Sequence, residues 1–202
     1  MKELSEIKLR IMNKASELFM QYGVRNISMD DIASSLGISK KTIYQNFKDK
    51  DALVMHTMEG ILEYNKTLCI PETTAKNAIH EAFIGFEYMM EVFRKINFSV
   101  LNELKKYHPK TYRKFQAYRD EFLLGVIKEG IQRGIDEGLF REDINTDILA
   151  RIRVETLFIS FRPEFYNPMQ MDPYEVNQQL FHLFMYGMAT AKGYRLIEKY
   201  KQ

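Results

Sequence analysis

The chain has 202 residues, 46% of them hydrophobic, with one cysteine, no tryptophan and a formal net charge of +2. That composition supplies a packed core and excludes a disulfide-stapled scaffold and an intrinsically disordered chain. The charge is too small to announce a nucleic-acid partner, but its distribution is uneven: residues 1–50 hold 9 Lys/Arg against 6 Asp/Glu, and the rest holds 20 against 21.

Five prolines, ten glycines and few β-branched runs favour an all-α chain, with about nine helices by periodicity and stop signals. No apolar run approaches the ~20 residues of a membrane span. The first ten residues alternate charge without an apolar stretch, so they do not read as a signal peptide. Cys69 fits a reducing compartment as a small core thiol, with redox sensing the alternative. The expected location is cytoplasmic.

Helix one is expected from about Glu3 to Tyr22, with Ile7, Ile11, Ala15, Leu18 and Tyr22 as its buried stripe and Gly23 as its stop. Ser28 and Asp31 have capping-box spacing, and Met29, Ile32, Ala33 and Leu36 follow at i, i+3, i+4 and i+7. Gly37 ends this short helix. Ser39 caps the next one, whose buried edge is Ile43 and Phe47.

Off that edge lie Lys40, Lys41, Thr42, Tyr44, Gln45 and Lys48. Ammonium groups and a phenol suit phosphate oxygens, while hydroxyl and amide groups also pair with base edges. A short helix with such a face, preceded by a glycine turn, is the kind of element a major groove admits. The bland alternative is a solvated lysine face on a helical bundle. Ser28, at the N-terminus of its helix, is a candidate phosphate contact as well as a cap.

Ile32-Ala33, Leu36-Gly37-Ile38-Ser39, Thr42-Ile43-Tyr44-Gln45-Asn46-Phe47, Lys50 and Leu53 together resemble the N-terminal domain of TetR/AcrR transcriptional repressors. The similarity covers roughly residues 7–55; Asn46 stands where that family commonly has His. The resemblance implies a three-helix helix-turn-helix DNA-binding domain over 1–50 and a helical ligand-binding and dimerisation domain over 51–202. It implies that Lys40, Lys41, Thr42, Tyr44 and Gln45 face the groove. Ser28, Ser39, Lys48 and Lys50 then hold phosphates.

Lys48-Asp49-Lys50-Asp51 opens helix four, which is expected to continue to about Leu68, with His56 as a structural histidine and Ile70-Pro71-Glu72 as a junction. Residues 74–96 form helix five, with the stripe Ile79, Phe83, Phe86, Met90 and Phe93. His80, Glu87 and Glu91 lie mostly off the stripe and lack metal-ligand spacing, so no metal or other cofactor is expected. A shorter helix covers 97–107. One long helix is expected from Lys110 to Glu137, with Tyr112, Phe115, Tyr118, Phe122 and Val126 sharing a face. The turn EGLFREDIN also resembles the family. Helix eight covers about Thr146–Phe161, an apolar proline-containing loop reaches about Asp172, and helix nine runs from Pro173 to Lys199. Gly187, Ala189, Ala191 and Gly193 offer close helix approach.

By resemblance, the last two helices pair with those of a second copy. Phe83, Phe86, Met89, Met90, Phe93, Phe115, Tyr118, Phe122, Phe158 and Phe161 are candidates to line an apolar effector pocket, with plain core packing as the alternative. Tyr118, His80, Glu87 and Arg119 are its candidate polar handles. No nucleophile elbow, zincin run, phosphate loop or CxxC is present, so an enzyme is not expected.

The partners expected are palindromic double-stranded DNA, a small-molecule effector and a second copy, with no membrane. The leading reading is a transcriptional repressor released from its operator by an apolar or aromatic compound, with an activator also open. A helical interaction protein with nonspecific nucleic-acid contact and no inducer is the alternative.

Overall fold

The computed structural model describes residues 5–68, 75–162, 164 and 171–201. Those residues form eleven α-helices, one π-helical and one 3-10 segment. Their only β feature is an isolated bridge between Phe140 and Ala189. No described helix is long and apolar enough to cross a membrane. Cys69, the Ile70-Pro71-Glu72 junction and most of the loop after Arg162 lie outside the described residues.

The helices are α1 (Glu6–Tyr22), α2 (Met29–Leu36), α3 (Lys40–Asn46), α4 (Lys50–Leu68), α5 (Ala78–Phe93) and α6 (Val100–Tyr107). They continue with α7 (Pro109–Ala117), α8 (Leu124–Asp136), α9 (Thr146–Leu157), α10 (Pro173–Met188) and α11 (Ala191–Tyr200). Two compact units result. One contains residues 1–67 and 95–117, the other 68–94 and 118–202. The expected boundary after Lys50 does not coincide with this division. Leu53, Val54 and Met58 of α4 and Val100 and Leu104 of α6 share one core with α1–α3. A three-helix unit alone would leave those faces in water, and small cores gain stability by recruiting more apolar area.

In the first unit, Ile11, Ala15 and Phe19 are the fully buried positions of α1, while Tyr22 is exposed. The expected stripe is therefore correct at Ile11 and Ala15, but it ends on Phe19. Gly23 ends α1 at φ +85, and a Cβ there would lie 2.9 Å from a Glu103 carboxylate oxygen. That carboxylate accepts the Arg25 N–H at 2.8 Å and the Ser99 hydroxyl at 2.8 Å. The Asn97 N–H donates to the Met20 carbonyl at 2.6 Å. The α6 region thus fastens the turn that leads into the helix-turn-helix.

Two expected helices are each interrupted, one where the chain passes from the first unit to the second and one within the second unit. Between α7 and α8 the chain takes a π-helical course over Tyr118–Leu123. The buried series runs Thr111, Phe115, Tyr118, then steps five residues to Leu123 and on to Ile131. A π-turn adds one residue per turn, so it carries the apolar stripe past Phe122, which is half-buried, onto Leu123.

The second interruption separates α10 from α11. There the Arg141 N–H donates to the Met188 carbonyl, and the Thr190 N–H donates to the Leu139 carbonyl at 3.0 Å. The Thr190 hydroxyl also donates to the Gly138 carbonyl and caps α11 by accepting from the Gly193 N–H. Gly193 lies so close to the Leu139 carbonyl that a Cβ would stand 2.1 Å from its oxygen. The small residues near 190 therefore serve a helix-to-turn contact here, not one continuous helix.

Candidate DNA interface and effector cavity

The turn between α2 and α3 follows directly from local chemistry. Ser28 accepts from the Asp31 N–H at 3.1 Å, and its own N–H donates to the Asp31 carboxylate at 2.7 Å. The Ser28 hydroxyl donates to the same carboxylate at 2.6 Å. These bonds hold the Asp31 carboxyl below the usual carboxylate range, the side-chain bond from Ser28 being the largest cause. Gly37 is left-handed at φ 64 and ends α2. Ser39 caps α3 by accepting from the Thr42 N–H at 3.1 Å, with its hydroxyl 2.9 Å from that of Thr42. Ile43 and Phe47 are buried, which fixes the rotation of α3 about its axis.

That rotation exposes Lys41, Tyr44, Gln45 and Lys48 to solvent, Tyr44 at 45% despite its size. Thr42 is half-buried. Lys40 is exposed but its ammonium meets Asp30 of α2 at 2.8 Å, which raises its pKa. Lys40 is thus an ion-paired cation. Lys50 is half-buried, and burial pushes its pKa down against the pull of Glu103, Asp31 and Asp51. Ser28 is exposed, with its hydroxyl engaged in the capping box. Lys8, which no sequence motif singles out, lies over the Phe47 ring at 5.3 Å.

The second unit contains a partly open cavity of about 160 Å³. Engineered apolar cavities of ~150 Å³ accept a benzene-sized guest. Its walls include Ala82, Gly85, Phe86, Tyr88 and Met89 of α5, and Leu123, Val126, Ile127, Gly130 and Ile131 after Tyr118. Phe140 follows, with Arg153 and Leu157 of α9 and Phe181, Phe184, Met185 and Met188 of α10.

Of the expected liners, Phe86 and Met89 border this cavity. Phe83, Met90, Phe93, Tyr118, Phe122, Phe158 and Phe161 do not. Phe83 meets Phe181 edge-on at 5.1 Å, Phe93 meets Phe161 at 5.2 Å and Phe158 at 6.3 Å, and Tyr118 stacks on Phe122 at 5.5 Å. Phe115 belongs to the other compact unit. None of the expected polar handles borders the cavity. His80 stacks on Tyr200 at 4.8 Å, Arg119 pairs with Asp120, Glu87 is exposed, and Tyr118 is core.

The charged groups that do border it are Glu81 and Arg153. Glu81 meets Arg133 at 2.6 Å, and Arg133 also bonds Glu137 at 2.8 Å. Arg153 has no such partner among the described residues. Its guanidinium lies over the rings of Phe181 at 5.2 Å and Phe184 at 5.8 Å, and its Nη1 makes no hydrogen bond to any described residue. Burial pushes its pKa down to about 10, leaving it cationic at neutral pH. Sequence reasoning does not find it. The available signal is its spacing: Ala150, Arg153, Val154 and Leu157 fall at i, i+3, i+4 and i+7 and are all buried.

Outside the cavity, α9 and α10 expose large apolar side chains: Ile148 at 56%, Ile152 at 48% and Leu183 at 72%. A surface crevice there is bordered by Ile144, Ile148, Leu149, Leu183, Phe184 and Gly187. Phe184 and Met188 border both this crevice and the cavity.

A capped glycine-turn helix pair with a polar, exposed second helix, in an all-α chain with a separate cavity-bearing unit, defines a helix-turn-helix transcriptional regulator. Residues 11–56 match the family model described as "Bacterial regulatory proteins, tetR family". An HTH-type transcriptional regulator of Staphylococcus aureus is 31% identical over 133 residues, covering 60% of this chain and 70% of that one. The HTH-type transcriptional repressor KstR2 of Mycolicibacterium smegmatis is 23% identical over 192 residues, covering 91% of each chain. Among solved structures, a transcriptional regulator from Saccharomonospora viridis in complex with choline superposes with a TM-score of 0.76 at 19% identity, covering 93% of this chain and all of that one. The chain belongs to the TetR family of bacterial transcriptional regulators, and its biochemical role is regulation through DNA binding.

Proposed function

We propose that this protein is a homodimeric repressor that reads a palindromic operator through α3 and leaves it when a small, mainly apolar molecule occupies the cavity of the second unit. The observation that carries the reading is the exposure of Lys41, Tyr44 and Gln45 on α3, and of Lys48 just beyond it, while Ile43 and Phe47 are buried. Tyr44, Gln45, Lys41 and Thr42 face the groove, with Lys40 exchanging Asp30 for DNA. Ser28, Ser39, Lys48 and Lys50 approach phosphates. The repressor direction is supported by the naming of the KstR2 relative.

Two copies must hold their recognition helices ~34–36 Å apart to enter successive major grooves. The exposed apolar face of Ile148, Ile152 and Leu183 supports pairing through α9 and α10, since contiguous patches of this kind mark interaction sites. An effector alters DNA affinity only by binding the released state more tightly than the DNA-bound one. Phe184 and Met188, common to the cavity and the dimer-facing crevice, are the side chains through which occupancy reaches the pairing surface.

Tyr44→Ala is expected to weaken binding to the cognate DNA by about tenfold or more, the scale of one specific base interaction, while leaving thermal unfolding unchanged. A gel-shift titration beside a melting curve measures both. Unchanged affinity would remove Tyr44 from the reading surface.

A further inference from the structure

We infer that the effector of this cavity is a monocarboxylate: an apolar body with one carboxylate end, which pairs with the guanidinium of Arg153. This rests on the effector reading above and names its ligand class. Three observations carry it. The walls are almost wholly aliphatic and aromatic, which selects an apolar body. Arg153, buried at the cavity wall, has an unpaired Nη1 among the described residues. The other bordering charge, Glu81, is already compensated by Arg133.

A buried cation without a counter-charge is costly, and the two phenylalanine rings stabilise only its face. Its Nη1 has no acceptor among the described residues, and the planar fork of a guanidinium matches the two oxygens of a carboxylate. A neutral guest of the same shape leaves the guanidinium charge uncompensated, so acid and amide are discriminated at this one group. The space of about 160 Å³ sets the scale at a short acyl chain or a single aryl ring.

The test uses the full-length protein in isothermal titration and thermal-shift assays with two carboxylate series, straight-chain acids from butanoate to decanoate and the aryl acids benzoate, phenylacetate and phenylpropanoate. Each acid is compared with its primary amide. The expected result is that the best-fitting acid binds about ten- to a hundredfold more tightly than its amide, the range for a hydrogen bond to a charged group. Whether an acyl or an aryl acid fits best identifies the body. Arg153→Met should abolish the acid–amide difference with the fold intact by circular dichroism, and Arg153→Lys should restore part of it. Equal binding of acid and amide, or an acid preference that survives Arg153→Met, would overturn the inference. Amides that bind as tightly as the acids and release DNA would overturn it while leaving the effector reading standing. Failure of every compound in both series to bind would overturn the monocarboxylate assignment and count against the cavity as an effector site. Retention of DNA by a protein saturated with the acid would confirm the ligand class and contradict its role as inducer.

Discussion

Asp31 shows how one side chain determines a functional surface. Its carboxylate receives the Ser28 N–H and hydroxyl, which starts α2 and thereby positions the turn into α3. Because its folded pKa is lowered, its stabilising contribution is complete above the ordinary carboxylate range and is lost as pH falls through its depressed folded value. The melting temperature of Asp31→Asn should therefore lie below that of the parent at neutral pH, with the gap closing on acidification. Melting curves across that range check it; a gap independent of pH would assign the effect to packing instead. Arg153 is the contrasting residue. Its role is hidden in the sequence because a cation within an apolar repeat reads equally well as a side chain lying across a helix face. Only packing reveals that its guanidinium is buried over the rings of Phe181 and Phe184. The pairing of Lys40 is hidden for a similar reason, since its partner Asp30 lies on the preceding helix, ten residues away.

At the scale of elements, α2 and α3 are legible almost to the residue because every signal is local: caps three residues from their donors, a left-handed glycine, and apolar residues at helical spacing. The regions after Tyr118 and before Ala191 are not. A π-turn leaves no compositional mark, and it moves the buried series from Phe122 to Leu123. The α10–α11 break depends on Leu139 and Gly138, about fifty residues earlier, which no local pattern contains.

Lys50→Ala, at the first turn of α4, should reduce the slope of log affinity against log salt by about 0.9 for each phosphate that the ammonium no longer neutralises. Binding titrations at several salt concentrations measure it; an unchanged slope would separate Lys50 from the DNA backbone. Leu183→Glu places a charge on the exposed α10 face and should shift the proposed dimer toward monomer in sedimentation velocity. An unaltered dimer would move the pairing surface elsewhere.

For the whole molecule, the all-α class is readable from periodicity, while the extent of each unit is not. The unit that carries the helix-turn-helix recruits Val100 and Leu104 from a later part of the chain, and sequence order gives no warning of that return. The choice of cavity walls is likewise partly legible. The aromatic residues of α5 stand out in the sequence, but which side of that helix meets the cavity depends on α8, α9 and α10 together, and Gly85 and Met89 are on it while Phe93 is not.

The central claim is that the exposed face of α3 reads DNA twice per dimer. Selection of bound sequences from a random duplex pool by the full-length protein tests it most directly. The expected result is enrichment of a palindrome whose half-sites are centred about one helical turn, or a whole number of turns, apart, with enrichment abolished by Tyr44→Ala. A pool that stays random, or an enriched sequence that Tyr44→Ala selects equally well, would contradict it.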